Sequence, residues 1–226
     1  LLTLHSDASK IANPIILELG VDKGQSTKVF LNAIKDKPDA KLISVDVRDC
    51  SNIAVSKNWT FIKADSTDLE AILLQATDLS QGVDLIYVDS LHTAKHVEKE
   101  FYTHFQFLKN NGAMYFDDVD PWPYMRNNRK DNIDIEIANR EIRSLLINIF
   151  RSNMHLLRLE FQHGSTGLAK ITKLSHGQLN LPCKEVIRRK SKFAWKLFER
   201  LSRKKIYKHE PNKSESFLID VTKFKQ

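Results

Sequence analysis

Short apolar runs alternate with stretches of helical periodicity along most of the chain. The run Ile15, Ile16, Leu17, Glu18, Leu19 predicts a buried strand ended by Gly20. Over 26–34, the positions Val29, Phe30, Ala33 and Ile34 share one helical face. Residues 42–46 and 59–63 predict the second and third strands, 69–76 a helix and 83–88 a fourth strand. Val97, Phe101, Phe105 and Leu108 recur at helical spacing. A helix is therefore expected over 94–108, closed by Asn110, Asn111 and Gly112 ahead of a strand at 113–116. Beyond a polar, proline-bearing stretch, a helix is expected over 133–150 and strands over 155–161 and 167–174. Only His163 to Thr166 separate the expected cores of these two strands, which implies a hairpin and one antiparallel strand. The pattern predicts an α/β fold: a Rossmann-like, doubly wound, mostly parallel seven-stranded sheet with a C-terminal antiparallel hairpin strand.

With 226 residues, 42% hydrophobic and 28% charged, the chain suits one such domain plus an appendage. No apolar run approaches the ~20 residues of a membrane span. The composition shifts past Pro182, so we expect a core domain over 1–182 and a basic helical extension over 183–226. Over 184–208 the extension carries Val186, Phe193, Trp195, Leu197, Phe198 and Leu201, and a further strand is expected near 217–221. The net charge of +7 resides there: 183–226 holds 14 Lys/Arg against 5 Asp/Glu, and the remainder 21 against 23. The charge of the whole chain is therefore no argument for nucleic acid at the core. The extension is expected to pack by its apolar stripe. Contact with a membrane or glycan through Arg188, Arg189, Lys190 and Arg203, Lys204, Lys205 is the second reading. Two cysteines, Cys50 and Cys183, are too few for a disulfide framework, and a reducing, cytoplasmic setting is the default. Residues 1–10 lack both an initiator Met and the order of a signal peptide, so the start reads as trimmed. A homo-oligomer is compatible with all of this.

Ligands of doubly wound sheets sit at the carboxyl ends of the strands. From Glu18 to Ser26 the chain has a strand, two glycines and a helix start. Gly20 lets the turn form and the ligand approach, Gly24 opens the helix, and Ser26 or Thr27 offers a hydroxyl there. Asp22 stands where a dinucleotide fingerprint has its middle glycine, and its charge repels a pyrophosphate. That disfavours NAD and favours a nucleoside without phosphate. The second strand ends in Asp46, an acid placed for ribose hydroxyls. Asp65 ends the third, either as acceptor for an adenine amino group or as a helix N-cap.

These segments, E-L-G-x-x-x-G-x-S, S-V-D and A-D-S in order, resemble the class I S-adenosylmethionine-dependent methyltransferases over roughly residues 10–175. The resemblance implies S-adenosylmethionine as cofactor, with Glu18 and Gly20 at its methionine end, Asp46 at the ribose and Asp65 at the adenine edge. Gly24, Ser26 and Asp89 complete that expected site.

The fourth strand runs into Asp89, Ser90, Leu91 and His92, and the fifth ends in Asp117 and Asp118. Neighbouring parallel strands bring the three acids to one edge, where they repel one another unless a cation or proton intervenes. Oxygen donors without cysteine suit Mg²⁺, Mn²⁺ or Ca²⁺ better than zinc. The layout is similar to metal-dependent O-methyltransferases of the sugar and natural-product branch, and also to cephalosporin-hydroxylase-like proteins. It implies Asp89, Asp117 and Asp118 as ligands of a divalent metal, first Mg²⁺, and His92 as general base, with a carboxylate as the alternative base. Read without the resemblance, Asp117 and Asp118 are a turn toward Pro121 and His92 a solvated loop residue. Trp122 and Tyr124 are expected either to stack on an acceptor, with Arg126 meeting an anionic group, or to anchor their loop in the core. The expected activity is methyl transfer to a hydroxyl of a small molecule or sugar. The alternatives are an oxygenase, an NAD-dependent oxidoreductase and a non-catalytic nucleoside-binding module. The acidic site argues against a nucleic-acid acceptor.

Overall fold

The computed structural model of the chain describes residues 1–128, 130–181 and 216–218. The strands are β1 (Ile15–Leu19), β2 (Lys41–Asp46), β3 (Trp59–Lys63), β4 (Val83–Val88), β5 (Leu108–Asp117), β6 (Leu157–Gln162), β7 (Leu168–Lys173) and β8 (Ser216–Leu218). They form one sheet in the order β3-β2-β1-β4-β5-β7-β6-β8. Strands β1 to β5 are mutually parallel, and β7 inserts antiparallel between β5 and β6. The Rossmann-like sheet with its terminal hairpin is thus as the sequence pattern predicts. Short β8 adds an eighth strand along β6, with Phe217 opposite Phe161.

The period of two sorts the central strands between two helical layers. Ile15, Leu17 and Leu19 of β1 enter one core with Val97 and Phe101 of α4 (Ala94–His104) and Ile142 and Leu146 of α5 (Ile133–Ser152). Ile16 enters the opposite core with Leu4 and Ala8 of α1 (Leu2–Lys10) and Phe30 and Ile34 of α2 (Gln25–Ile34). Both faces of the central strands β1 and β4 are covered, which is why they read as nearly continuous apolar runs. Side chains start the later helices: Thr93 caps α4, and Asn132 accepts from the N–H groups of Asp134 and Ile135 in α5.

Three elements depart from expectation. Helix α1 was unforeseen, since only Leu4 and Ala8 of it are buried and its periodicity is weak. The short α3 (Leu69–Leu73) stops before Ala76. Helix α4 ends at His104, Phe105–Phe107 forms a 3-10 turn, and Asn110 to Gly112 lie within β5. Leu108 fits the helical spacing but pairs with Val83, and the register shifts between Val83 and Leu85 to absorb the excess residues. The expected 184–208 helix lies outside the described residues. Among those described, no helix is long and apolar enough to cross a membrane.

Candidate active site

Strand order reverses between β1 and β4, and a crevice opens beyond their carboxyl ends. The turn after β1 is pressed against the end of β4: a Cβ on Gly20, whose φ is +96°, would run into the Asp89 carbonyl. Gly24 begins α2 at φ +69° with the Ile53 side chain against it. Only glycine meets both demands without strain.

Two cavities flank this turn. The first, about 510 Å³, is lined on one side by Gly20, Asp46, Arg48 and Asp65 and on the other by Ser66, Ser90, His92 and His96. The second, about 470 Å³, lies between Leu1 and Leu4 at the start of the chain, Asp22 and Lys23 of the turn, Ser26 of α2, and the β6–β7 hairpin. Asp22 and Asp89 belong to both linings.

Asp46 is nearly buried in the first cavity. Its carboxylate accepts the N–H groups of Val21, Asp22 and Arg48 at 2.9, 3.2 and 2.9 Å, and Arg48 Nε lies 3.4 Å away. Burial alone would raise its pKa, but these donors outweigh it and hold the carboxyl below its usual range. Asp65 is exposed at the far end, and Thr67 donates to it through both N–H and Oγ1. The N-cap of α3 is Asp68, not Asp65.

Glu18 departs from its expected place at the methionine end. Its even-numbered neighbour Ile16 faces α2, and so does Glu18, which is fully buried and lines neither cavity. It accepts hydrogen bonds from Ser26 Oγ at 2.6 Å, Thr27 Oγ1 at 2.8 Å and Ser44 Oγ at 2.6 Å. Burial raises its pKa despite these three donors. Glu18 therefore ties the start of α2 to β1 and β2, and Ser26, above it, reaches the second cavity.

The predicted acids do converge. Tyr87 Oη donates to Asp117 at 2.8 Å and to Asp89 at 3.2 Å, and Thr166 Oγ1 donates to Asp117 at 3.2 Å. His92 stands between Asp89 and Asp118, 3.5 Å from each. Asp118 has φ +56°, a left-handed conformation that turns it out of the strand alternation. Burial, then the charges of Asp117 and Asp118, push the Asp89 carboxyl up to about 7. Among the described residues, no three His, Cys, Asp or Glu groups are arranged as they stand to hold an ion.

Trp122 and Tyr124 line neither cavity. They form a 3-10 turn whose Tyr124 is buried and whose carbonyl receives the Asn132 N–H at 3.0 Å, while Arg126 is exposed. The buried Tyr124 and its bond to Asn132 fit the anchored-loop reading. His96, expected from sequence as a surface or packing residue of its helix, and Ser66, Ser90 and His163, to which no function was assigned, are brought to the cavities by the structure. For His96, its spacing of four from Glu100 within the expected 94–108 helix was the available signal.

The fold is similar to that of solved S-adenosylmethionine-dependent methyltransferases. The family model described as "Methyltransferase domain" matches residues 17–119, from β1 to just past β5. A release factor glutamine methyltransferase of Flavobacterium psychrophilum is 25% identical over 118 residues, covering 52% of this chain. The chain spans 40% of that enzyme's length. Among solved structures, the Podospora anserina methyltransferase PaMTH1 bound to SAH gives a TM-score of 0.60 at 14% identity, covering 76% of this chain and 77% of that one. MycE from the mycinamycin biosynthetic pathway, in complex with Mg and SAH, gives 0.53 at 17%, covering 79% and 50%. The O-methyltransferase TomG of Streptomyces achromogenes, in complex with SAM, gives 0.52 at 14%, covering 76% and 78%.

Proposed function

We infer that this chain binds S-adenosylmethionine in the first cavity and transfers its methyl group to a hydroxyl of a small molecule or sugar held in the second. The observation that carries this reading is the shared wall: Asp22 and Asp89 face both cavities, so donor and acceptor meet across the β1 turn and the end of β4. The methionine end lies by Gly20 and Asp89, the ribose by Asp46 and the base by Asp65. A ribose must share the Asp46 oxygens with Arg48 or displace its guanidinium.

A sugar is the first choice of acceptor. Gln162, His163, Ser165 and Thr166 line the second cavity with donors and acceptors, and among its described lining residues the one aromatic ring, Tyr87, is buried. In the transfer, an acceptor oxygen bonds to the methyl carbon, the carbon–sulfur bond breaks with its electron pair left on sulfur, and the hydroxyl proton goes to a base. His92 is the base in this reading, its ring positioned by Asp89 and Asp118. The donor set suits a hard divalent cation, Mg²⁺ first, which Asp89, Asp117 and Asp118 would hold. When bound it would lower the acceptor pKa and fix its direction. The mutual repulsion that raises Asp89 is what such a cation relieves.

The test is calorimetric titration with S-adenosylmethionine in the presence of Mg²⁺, alongside Asp46→Ala and a melting curve to confirm that the variant is folded. Micromolar binding lost in the folded variant supports the reading. Absence of binding to the intact protein removes it.

A further inference from the structure

One face of α4 carries His96, Glu100 and His104 at successive spacings of four, and this face closes the base end of the first cavity. Glu100 is fully buried behind the lining. Its Oε1 accepts from Ser90 Oγ at 2.5 Å and lies 3.4 Å from His96 Nε2. The same His96 nitrogen is 3.0 Å from Ser66 Oγ, and His104 Nε2 lies 2.6 Å from the Ser66 carbonyl. Three residues that line the cavity, Ser66, Ser90 and His96, are thus linked through one buried carboxylate on α4. They come from the loops after β3 and β4 and from the helix itself.

A carboxylate in so dry a place is destabilising unless its partners repay the lost hydration. Its Oε2 has no hydrogen-bond partner, although the atom is buried. Helix packing alone would be served by an apolar side chain at this position. What Glu100 does that an apolar residue would not is orient the His96 ring: with Nε2 held by Glu100 and Ser66, Nδ1 is the nitrogen left for a ligand.

The geometry points to a base-reading wall: His96, oriented by Glu100, recognises the amino-bearing edge of the cofactor's adenine together with Asp65, and so selects a 6-amino over a 6-oxo purine. His96 contacts the ligand; Glu100, Ser66 and Ser90 are positioning residues. The inference rests on the first cavity being the S-adenosylmethionine site. Replacing the amino group by a carbonyl inverts the donor and acceptor pattern at that edge and leaves polar groups of the wall unpaired, the kind of mismatch that discriminates strongly.

The experiment compares binding of S-adenosylhomocysteine and S-inosylhomocysteine, its 6-oxo analogue, to the full chain by calorimetry. The wild type is expected to prefer the adenine ligand by about tenfold or more, and His96→Phe, which keeps the bulk, to narrow the preference to within about threefold. Glu100→Gln is expected to narrow it too, although residue 100 does not line the cavity. If Glu100→Gln does not fold, as melting would show, Ser90→Ala serves as the positioning test, with a partial narrowing expected. A purely structural role would weaken both ligands equally and leave their ratio unchanged, which overturns the inference. Equal binding of the two ligands by the wild type also overturns it. If neither binds, the cofactor reading itself is removed and the inference with it.

Discussion

Beside the packing of Leu4 and Ala8, one carboxylate ties helix α1 to the sheet, and Asp7→Asn measures that tie. Asp7 Oδ2 accepts from Tyr115 Oη and from Lys170 Nζ, each at 2.6 Å, and Oδ1 from Lys10 at 3.1 Å. Burial would raise its pKa, but the hydrogen bonds from Lys170, Tyr115 and Lys10 and the Lys170 charge bring it from 3.8 down to about 2. That difference corresponds to about 2 kcal/mol of preference for the ionised form in the folded state. A depressed carboxyl pKa stabilises the fold above the unfolded value near 4, and the contribution fades as pH falls through 4 toward 2. Asp7→Asn is therefore expected to lose about 2 kcal/mol at pH 7 in urea unfolding. The gap to wild type should stay constant from pH 7 to about 5 and shrink below pH 4. Because Leu1 and Leu4 wall the second cavity, α1 links this stability to the acceptor site. Equal stability at pH 7, or a gap indifferent to pH, would refute the account of α1.

Two further predictions concern buried polar groups. Glu18→Ala leaves the Ser26, Thr27 and Ser44 hydroxyls without their acceptor, and a loss of roughly 3 kcal/mol or more is expected in urea unfolding. An unchanged midpoint would show that the hydroxyls find other partners. His104 is fully buried, and burial holds its pKa below the ordinary value, so the folded state keeps it neutral where the unfolded chain takes a proton. Its contribution is present above about pH 6.5 and is lost as pH falls below that. The stability difference between wild type and His104→Gln should shrink from pH 7 to 5, and a widening difference would contradict the sign.

The sheet was legible because both faces of its central strands are covered, so Ile15 to Leu19 and Val83 to Val88 stand out as apolar runs. The acids at strand ends were legible for a related reason: once β1, β4 and β5 are neighbours, Asp89 and Asp117 must share an edge. What was not legible depended on the parity of single residues and on partners distant in sequence. Glu18 reads as a cavity residue until its face of the strand is known, and then three hydroxyls, one of them on β2, claim it. Leu108 satisfies a helical period and a strand pairing equally well, and only its partner Val83 decides. Trp122 and Tyr124 look like substrate aromatics from position alone, yet the start of α5 folds their turn inward.

The acidic edge carries the last prediction, and His92 makes it discriminating. As the side chains stand, His92 lies between Asp89 and Asp118, and among the described residues no three donors are set to hold an ion. If those carboxylates are nonetheless a cation site, His92 must move aside when the ion arrives, and Asp117 must turn from Tyr87 and Thr166 toward it. Mn²⁺ titration followed by electron paramagnetic resonance, with S-adenosylhomocysteine present, separates the cases. Asp117→Ala and Asp118→Ala are expected to weaken Mn²⁺ binding by about tenfold or more, because each removes a charged oxygen donor. His92→Ala is expected to bind Mn²⁺ as well as the wild type or better, since it vacates the space without removing a ligand. Equal loss in His92→Ala and Asp117→Ala would make the histidine a ligand and deprive the proposed reaction of its base. No binding to the wild type would mean that the three acids manage their repulsion by proton sharing, as an Asp89 pKa of about 7 permits, and that the transfer relies on His92 alone.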